Sequence, residues 1–241
     1  MKIILCTAID RPTPYIGEFV EYYRGLGVEK FYFTIIHQEP ETLVQDIVDV
    51  CPDATINKIK GYIESSTTQP YGNLATMIYG PETWCLVPDM DEFGDRDQLR
   101  IAMQEDGDYV VGEFVDRIAE SHTLEEYDPA QGLFRQYPLN CDITKRATNN
   151  NHKMVIAVRG GTSVQLRGSF SFKRQHPILT PCQTEIVSYH FKWRGGVREA
   201  MKERIDNRKC EVGGAIAPET YFDNGKLKTD MVTIIDMENE K

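Results

Sequence analysis

The sequence lacks the cysteine patterns of a zinc-binding module and the long apolar run of a membrane helix. Its six cysteines include no C-x-x-C pair, and none has a nearby histidine at zinc-finger spacing. Every apolar segment is shorter than the roughly 20 residues that cross a bilayer, and the amino-terminal MKIILCTAID is too short for a signal peptide and has no cleavage site. We therefore expect free thiols, no integral membrane segment and a cytoplasmic location.

Positive charge is also scarce. Lys and Arg number 27 against 37 Asp and Glu, so the formal net charge is -10. Such a surface repels phosphate backbones, and no nucleic-acid partner is expected. A small anionic ligand is still compatible with it, because a local basic cluster or a metal ion can override the overall field. At 241 residues the chain suits one α/β domain, whose halves we place at 1–117 and 118–241.

Strand-like and helix-like segments alternate four times in the first half. The strand-like runs are KIILCTAI, KFYFTII, ATINKIKGY and WCLVP. Between them lie the helical patterns YIGEFVEYYRGLGV, PETLVQDIVDVC and a segment around 73–79, the first with Gly27 placed as its carboxyl-terminal cap. This alternation predicts a wound, mostly parallel sheet with helices on both faces.

The second half has a more irregular pattern. Residues 118–184 are richer in Asn, Gly, Pro and basic residues, and they contain only the short strand-like pieces HKMVIAV and SVQLRGSFSFK. A late strand, EIVSYHFKW, and a helix, GGVREAMKERIDNR, follow. We expect an irregular β-containing half that belongs to the same domain.

Carboxylates crowd where the fourth strand ends, in VPDMDEFGDRD. Ligands of open α/β sheets bind beyond the carboxyl ends of the strands, and this is the place of Asp89 and Asp91. Two neighbouring carboxylates repel each other, and a divalent cation removes that repulsion. Mg²⁺ or Mn²⁺ held by oxygen ligands commonly presents a phosphorylated ligand, so the pattern predicts a metal site of that kind.

Other interpretations of the acidic segment remain open. The segment is also compatible with a solvated loop, and Asp95 and Asp97 suit the start of the following helix. These interpretations fit Asp89 and Asp91 less well, because Pro88 and an apolar strand immediately precede them. An EF-hand is excluded, because the fifth and twelfth loop positions counted from Asp89 are Phe93 and Arg100.

Several blocks resemble a known family in their order along the chain. GEFVEYYRGLGVEKFYF and VPDMDEF resemble the E-x-x-x-Y and D-x-D-E-F segments of bacterial glycosyltransferases related to family 2. VVGEFVDRIAES, LFRQYP, HKMVIAV and VSYHFKWRGGVREAMKERI resemble later blocks of the same group. The resemblance runs through most of residues 1–208.

The resemblance implies a GT-A-like fold in which Mn²⁺ or Mg²⁺ holds a nucleotide-diphosphate sugar. A UDP-sugar is the first expectation for this donor. The enzyme would pass the sugar to a glycan or another hydroxyl acceptor. Residue by residue, Asp89 and Asp91 match the D-x-D positions, and Asp91 is the more direct metal ligand. His190 matches the late histidine that completes metal coordination, although a lone histidine at a strand end is more often structural.

The sequence departs from the family pattern after the second strand, where TIIHQEPET lacks the Asp-rich nucleotide segment. We therefore expect the nucleotide at the end of the first strand, with Arg11 near the diphosphate. The expected nucleotide contacts are Thr7, Ala8, Asp10 and Arg11. The cations expected to assist the leaving diphosphate are Lys192, Arg194, Lys153 and Arg117, each of which is alternatively a surface charge.

An inverting transfer also needs a carboxylate that takes the acceptor proton. Asp116, at the end of YVVGEFVD, is the first candidate, with Glu92 and Glu120 as rivals and a salt bridge to Arg117 as its structural alternative. Trp193 is the better candidate for a sugar-stacking surface, whereas Trp84 is expected in the core. The competing functions are an inactive metal- and nucleotide-binding module and a nucleotidyltransferase, although CTAIDRPTP has no glycine-rich loop of the latter class.

Overall fold

A computed structural model describes most of the chain and divides it into two compact units. The described residues are 1–61, 75–147, 153–162, 166–167, 171–172, 179–207, 221–223 and 226–235. Unit 1 comprises residues 1–113 and 153–188, and unit 2 comprises 114–152 and 189–241.

The strands and helices follow the predicted alternation. The strands are β1 (Lys2–Ile9), β2 (Val28–His37), β3 (Thr55–Lys60), β4 (Thr83–Leu86), β5 (Glu92–Gly94), β6 (Tyr109–Ile118), β7 (Leu139–Cys141), β8 (Lys153–Arg159), β9 (Leu166–Arg167), β10 (Ser171–Phe172), β11 (Ile186–His190), β12 (Phe222–Asp223) and β13 (Lys226–Leu227). The helices are α1 (Ile16–Leu26), α2 (Val44–Val50), α3 (Arg96–Ala102), α4 (Leu133–Gln136), α5 (Ile143–Ala147) and α6 (Val197–Asn207), with 3₁₀ turns at Pro40–Leu43 and Thr229–Met231. Residues 75–78 are also helical, and the rest of the helix predicted around 73–79 lies outside the described residues.

The main sheet has the strand order β3-β2-β1-β4-β8-β6-β11-β5. The first four strands are parallel, and β8 then pairs antiparallel with both β4 and β6. The predicted fold class, α/β with a GT-A-like wound sheet, is confirmed by this order. The parallel pairs are those of the amino-terminal strands, because β8 lies between β4 and β6 and runs antiparallel to both.

Local sequence explains why the first elements form. Six of the eight residues of β1 are buried, as expected of a strand covered on both faces. Helix α1 buries the predicted apolar face and ends at Gly27, whose φ of 107° is left-handed and therefore favours glycine. Because β1 and β4 are parallel, with Leu5 beside Leu86, their carboxyl ends lie at the same edge of the sheet.

Unit 2 contains the continuation of β6 from Phe114 and of β11 from Tyr189. Strand β7 pairs antiparallel with the end of β6, which places Asp116 beside Cys141. The apolar core of the unit consists of Ile118, Cys141, Ile143, Trp193, Val197, Tyr221, Phe222 and Leu227. Short, separate segments of the chain thus converge on the end of β6.

The expected free thiols are confirmed for the described cysteines, Cys6, Cys51, Cys85, Cys141 and Cys182, all of which are buried. Burial raises the pKa of the Cys6 thiol well above its ordinary value. Across the described part of the chain, no helix has both the length and the apolarity that a bilayer-spanning helix needs.

Candidate functional site

The acidic segment forms a closed turn directly after β4. The Glu92 N–H donates to the Asp89 carbonyl oxygen at 3.0 Å, and the Asp89 N–H donates to Oε2 of Glu92 at 2.8 Å. Glu92 is only 1% exposed, whereas Asp89 and Asp91 are half-buried. One carboxylate oxygen of Asp91 and one of Glu92 lie within 4.8 Å of each other. The turn therefore places two neighbouring carboxylates at the carboxyl edge of the parallel strands.

Helix α1 anchors this turn through Tyr23. The fully buried Tyr23 hydroxyl donates to the Glu92 carbonyl oxygen at 2.9 Å and accepts the Gly94 N–H at 3.2 Å. Burial raises the pKa of Tyr23 well above its ordinary value, so the hydroxyl keeps the proton that it donates. The Phe93 ring packs edge-on against Phe19 at a centroid distance of 5.6 Å. The predicted apolar face of α1 thus also positions the acidic turn.

Replacing Tyr23 with phenylalanine is expected to lower the free energy of unfolding by about 2 kcal/mol, because a buried carbonyl and a buried N–H lose their shared partner. Denaturant unfolding measures this loss. Tyr22→Phe is the matched control, since the Tyr22 hydroxyl donates one half-buried bond to the Gly94 carbonyl oxygen and its removal should cost less than ~1 kcal/mol. Equal losses in the two variants would contradict the anchoring role of Tyr23.

The predicted nucleotide contacts lie at the end of β1. Thr7 is buried, Ala8 is half-buried, and the Thr7 hydroxyl has no hydrogen-bond partner among the described residues. Arg11 donates through Nε and Nη2 to both oxygens of Asp10, at 2.9 and 2.8 Å. Both side chains of this ion pair remain partly exposed. The pair occupies the same edge of the sheet as the acidic turn.

The helix-capping interpretation of the next acidic residues is confirmed for Asp95. Its Oδ1 accepts the N–H groups of Asp97 and Gln98 at the start of α3. Asp97 is exposed and pairs with Arg100. These residues stabilise the start of a helix, and the metal-site prediction does not include them.

In unit 2, Asp116 is completely buried, and its carboxylate accepts four hydrogen bonds from described residues. Its Oδ2 accepts the Thr144 N–H at 2.5 Å. Its Oδ1 accepts from the Thr144 hydroxyl at 2.6 Å, from Nδ1 of His190 at 2.8 Å and from Nε1 of Trp193 at 2.8 Å. The alternative salt bridge to Arg117 is wrong, because the donors on this carboxylate are these three other side chains and a backbone N–H.

His190 is 6% exposed and is held on two sides. The Phe114 ring stacks on the imidazole with a centroid distance of 4.6 Å and an interplanar angle of 24°. The Thr144 hydroxyl lies 3.2 Å from the same Nδ1 that faces Asp116. These contacts define both the plane of the ring and the environment of Nδ1.

The predicted cations have different surroundings. Arg117 donates to the carbonyl oxygens of Tyr137 and Phe134 and to Oδ1 of Asn140. These hydrogen bonds stabilise the fold. Arg194 donates to the Phe191 carbonyl oxygen, and the Lys192 ammonium lies 5.4 Å from the centroid of the Trp193 ring. Lys153 begins β8, and its side chain lies outside the described residues.

The two tryptophans are both buried. Trp84 is 1% exposed and donates to the Met103 carbonyl oxygen, so its predicted core position is confirmed. Trp193 is also 1% exposed, so the prediction of a sugar-stacking surface there is wrong. Its indole N–H bonds the buried Asp116 instead.

Sequence reasoning missed Thr144 and the polar role of Tyr23. Thr144 lies in a five-residue helix with no distinctive pattern, and nothing local indicates its partner 28 residues away. Tyr23 carried a signal, because a hydroxyl on an otherwise apolar helical face needs a buried partner. The partner itself, 69 residues away, is defined by the fold alone.

Comparison with known proteins gives distant structural similarity and no sequence match. No protein-family model matches the chain, and no curated protein matches it. TarS from S. aureus, in a structure of its residues 1–349 with UDP, is 13% identical over 50% of this chain, with a TM-score of 0.33. HddC from Yersinia pseudotuberculosis is 11% identical over 84% of this chain and 98% of its own, with a TM-score of 0.39.

A further similar structure is 4-diphosphocytidyl-2C-methyl-D-erythritolsynthase from Anaerococcus prevotii DSM 20548, which is 10% identical over 89% of this chain and 80% of its own, with a TM-score of 0.34. The chain spans 24% and 37% of the two TarS chains that it matches first. The fold assignment accordingly rests on the strand order, and the site is interpreted from its own residues.

Proposed function

We propose that the protein is a metal-dependent glycosyltransferase that moves a sugar from a nucleotide-diphosphate sugar to an acceptor hydroxyl. The observation that carries the proposal is the turn after β4, where Asp91 and the buried Glu92 hold carboxylate oxygens within 4.8 Å of each other. Two like charges so close raise each other's free energy, and a divalent cation offsets this cost. The carboxyl edge of the parallel strands is where such folds bind their ligands.

The proposed carboxylate ligands of the cation are Asp91 and Glu92. Two carboxylate oxygens suit Mg²⁺ or Mn²⁺, which keep further positions for phosphate oxygens. Asp89 is proposed to contact the same nucleotide-sugar, with its backbone N–H held by Glu92.

In the proposed reaction, the acceptor oxygen forms a bond to the anomeric carbon as the bond from that carbon to the diphosphate breaks. The nucleoside diphosphate leaves with the bonding electron pair, and the acceptor proton passes to a base. When bound, the cation supplies positive charge beside the leaving diphosphate. Arg11 is proposed to bind the phosphate oxygens, and Thr7, Ala8 and Asp10 to line the nucleotide site.

Ligand-dependent thermal unfolding tests the binding half of the proposal. UDP or a UDP-sugar with Mn²⁺ should raise the melting temperature, because a ligand at about 100 times its Kd stabilises the folded state by about 2.7 kcal/mol. A protein of this size gains about 2–4 °C per kcal/mol, so a shift of roughly 5–10 °C is expected. EDTA should abolish it. Parallel measurements with GDP and CDP test which base is bound. The absence of a melting shift with every one of these nucleotides would overturn the proposal.

Product analysis then tests the reaction. A glycosyltransferase releases nucleoside diphosphate from the nucleotide sugar, by transfer or by slow hydrolysis. A nucleotidyltransferase instead releases pyrophosphate from a nucleoside triphosphate and a sugar phosphate, and its glycine-rich loop has no counterpart in DRPTP after β1. Mn²⁺-dependent UDP release supports the proposal. Pyrophosphate release supports the nucleotidyltransferase, and a melting shift without either product supports a binding module.

A further inference from the structure

Two tyrosines of α1 bond the outer edge of β5, the strand that begins with Glu92 and stands last in the order of the main sheet. The backbone groups of Glu92 and Gly94 point to the same side of this strand, because the two residues are two positions apart. The Tyr23 hydroxyl bonds the Glu92 carbonyl oxygen and the Gly94 N–H. The Tyr22 hydroxyl donates to the Gly94 carbonyl oxygen at 2.9 Å, and the Glu92 N–H bonds the Asp89 carbonyl oxygen. The tyrosine hydroxyls therefore take the place of a neighbouring strand.

Glu92 is held at both its main chain and its side chain. Its carbonyl oxygen accepts from Tyr23 at 2.9 Å, and its Oε2 accepts the Asp89 N–H at 2.8 Å. Both Glu92 and Tyr23 are buried, so water does not compete for these bonds. The conformation of the turn that carries the proposed cation ligands is thus defined by groups of unit 1 alone.

Aromatic packing restrains the hydroxyl that makes this link. The Phe93 ring lies edge-on to Tyr22, with a centroid distance of 5.1 Å, and stacks on Tyr23 at 6.2 Å. Phe19 packs edge-on against the Tyr23 ring at 4.9 Å. A tyrosine ring enclosed in this way has little rotamer freedom, and its hydroxyl holds Glu92 at one place. A turn that is already ordered loses less conformational entropy when a ligand binds to it.

We propose that Tyr23 is a positioning residue for the cation site, which acts through the backbone of Glu92 and Gly94 and does not touch the cation. The inference rests on the proposed function in one respect, the role of Asp91 and Glu92 as cation ligands. Tyr23 keeps the two carboxylates close together against their mutual repulsion, so that the cation meets a preformed site.

The first test uses the wild-type protein and follows the Gly94 N–H, which donates to the Tyr23 hydroxyl. Coupling between two events is reciprocal, so a bond that strengthens cation binding must open less often once the cation is bound. Amide hydrogen exchange of the ¹⁵N-labelled full chain measures this opening. Mg²⁺ at about 100 times its Kd should slow the exchange of this amide by about 10–100-fold.

The Ala54 N–H is the internal control of the exchange measurement. It donates to the Cys51 carbonyl oxygen in the turn between α2 and β3, which carries no proposed ligand. Its exchange should be the same with and without Mg²⁺. A bond with a purely structural role would behave like this control, so an unchanged Gly94 rate at saturating Mg²⁺ overturns the inference.

The second test measures Mn²⁺ affinity by electron paramagnetic resonance, without turnover. Tyr23→Phe should weaken Mn²⁺ binding by about 10-fold, at the low end of the effect of groups that orient metal ligands, because it acts on the backbone of the turn. Tyr32→Phe is the matched control. It removes a hydroxyl of the same unit that bonds the Tyr79 hydroxyl at 2.6 Å, and it should bind Mn²⁺ as the wild type does. Equal affinity in the two variants overturns the inference.

The two proposals fail in different measurements. If the wild-type protein binds neither Mn²⁺ nor Mg²⁺, the proposed function fails, and the positioning role fails with it. If the wild type binds the cation but Tyr23→Phe binds it equally well, the proposed function stands and only the role of Tyr23 is overturned. The exchange rate of the Gly94 N–H in the wild type decides the inference if Tyr23→Phe does not fold.

Discussion

Asp91→Asn is expected to weaken Mn²⁺ binding by at least about 100-fold, which corresponds to about 2.8 kcal/mol. The amide oxygen carries no net charge, so the cation loses one of its proposed anionic ligands. The fold should remain, because the turn is closed by the two hydrogen bonds between Asp89 and Glu92. The same variant should lose the Mn²⁺-dependent melting shift with UDP and release UDP from a UDP-sugar about 100-fold more slowly.

Asp97→Asn is the matched control for this experiment. It makes the same change of charge six residues along the chain, on a side chain that is 88% exposed and pairs with Arg100. We expect wild-type Mn²⁺ affinity and a melting temperature within about 4 °C of wild type, since exposed ion pairs contribute about 0–1 kcal/mol. If both variants bind Mn²⁺ equally well, the acidic turn is not the metal site.

Arg117→Leu is expected to lower the free energy of unfolding by about 3–4 kcal/mol. The guanidinium donates to the carbonyl oxygens of Tyr137 and Phe134 and to Asn140, at 2.8, 3.2 and 2.7 Å. It also lies 5.6 Å from the centroids of the Phe134 and Tyr189 rings. Leucine fills part of the volume, but it leaves three acceptors without their donor and removes the cation from the aromatic faces.

Two further variants separate charge from geometry at this position. Arg117→Lys should recover only part of the loss, because one ammonium cannot reproduce the planar fork that reaches three acceptors. Arg100→Leu, on an exposed helix face, should cost less than ~1 kcal/mol. Urea unfolding gives all three values, and a loss below ~1 kcal/mol in Arg117→Leu would contradict the structural assignment of Arg117.

The acidic turn shows how far local sequence information reaches. The apolar run into Pro88 placed Asp89 and Asp91 at a strand end, and the structure has them there after β4. This prediction needs only the apolar run and the proline, which lie within a few residues of the two carboxylates. The hydrogen bond that the Asp89 N–H donates to the Glu92 carboxylate is also local, but the burial of Glu92 is not, because Tyr23 and Phe19 reach the turn from α1.

Asp116 shows what local information does not contain. A charged residue at the end of an apolar strand is compatible with a base, a salt bridge or an anchor, and its sequence neighbours favour none of them. Its three side-chain partners lie 28, 74 and 77 residues away. The same limit explains the wrong prediction for Trp193. Its sequence neighbours do not show whether the ring is exposed, and the structure buries it.

By itself the sequence determined the alternation of strands and helices, the end of α1 at Gly27, the place of the carboxylates after β4 and the reduced state of the described cysteines. These follow from side-chain periodicity and backbone preference, which act over a few residues. Only the tertiary structure decided the antiparallel insertion of β8 between β4 and β6, the anchoring of Glu92 by Tyr23 and the enclosure of Asp116 by Thr144, His190 and Trp193. A buried polar group takes whichever partner the packed chain brings within about 3 Å, and that partner is set by the fold as a whole.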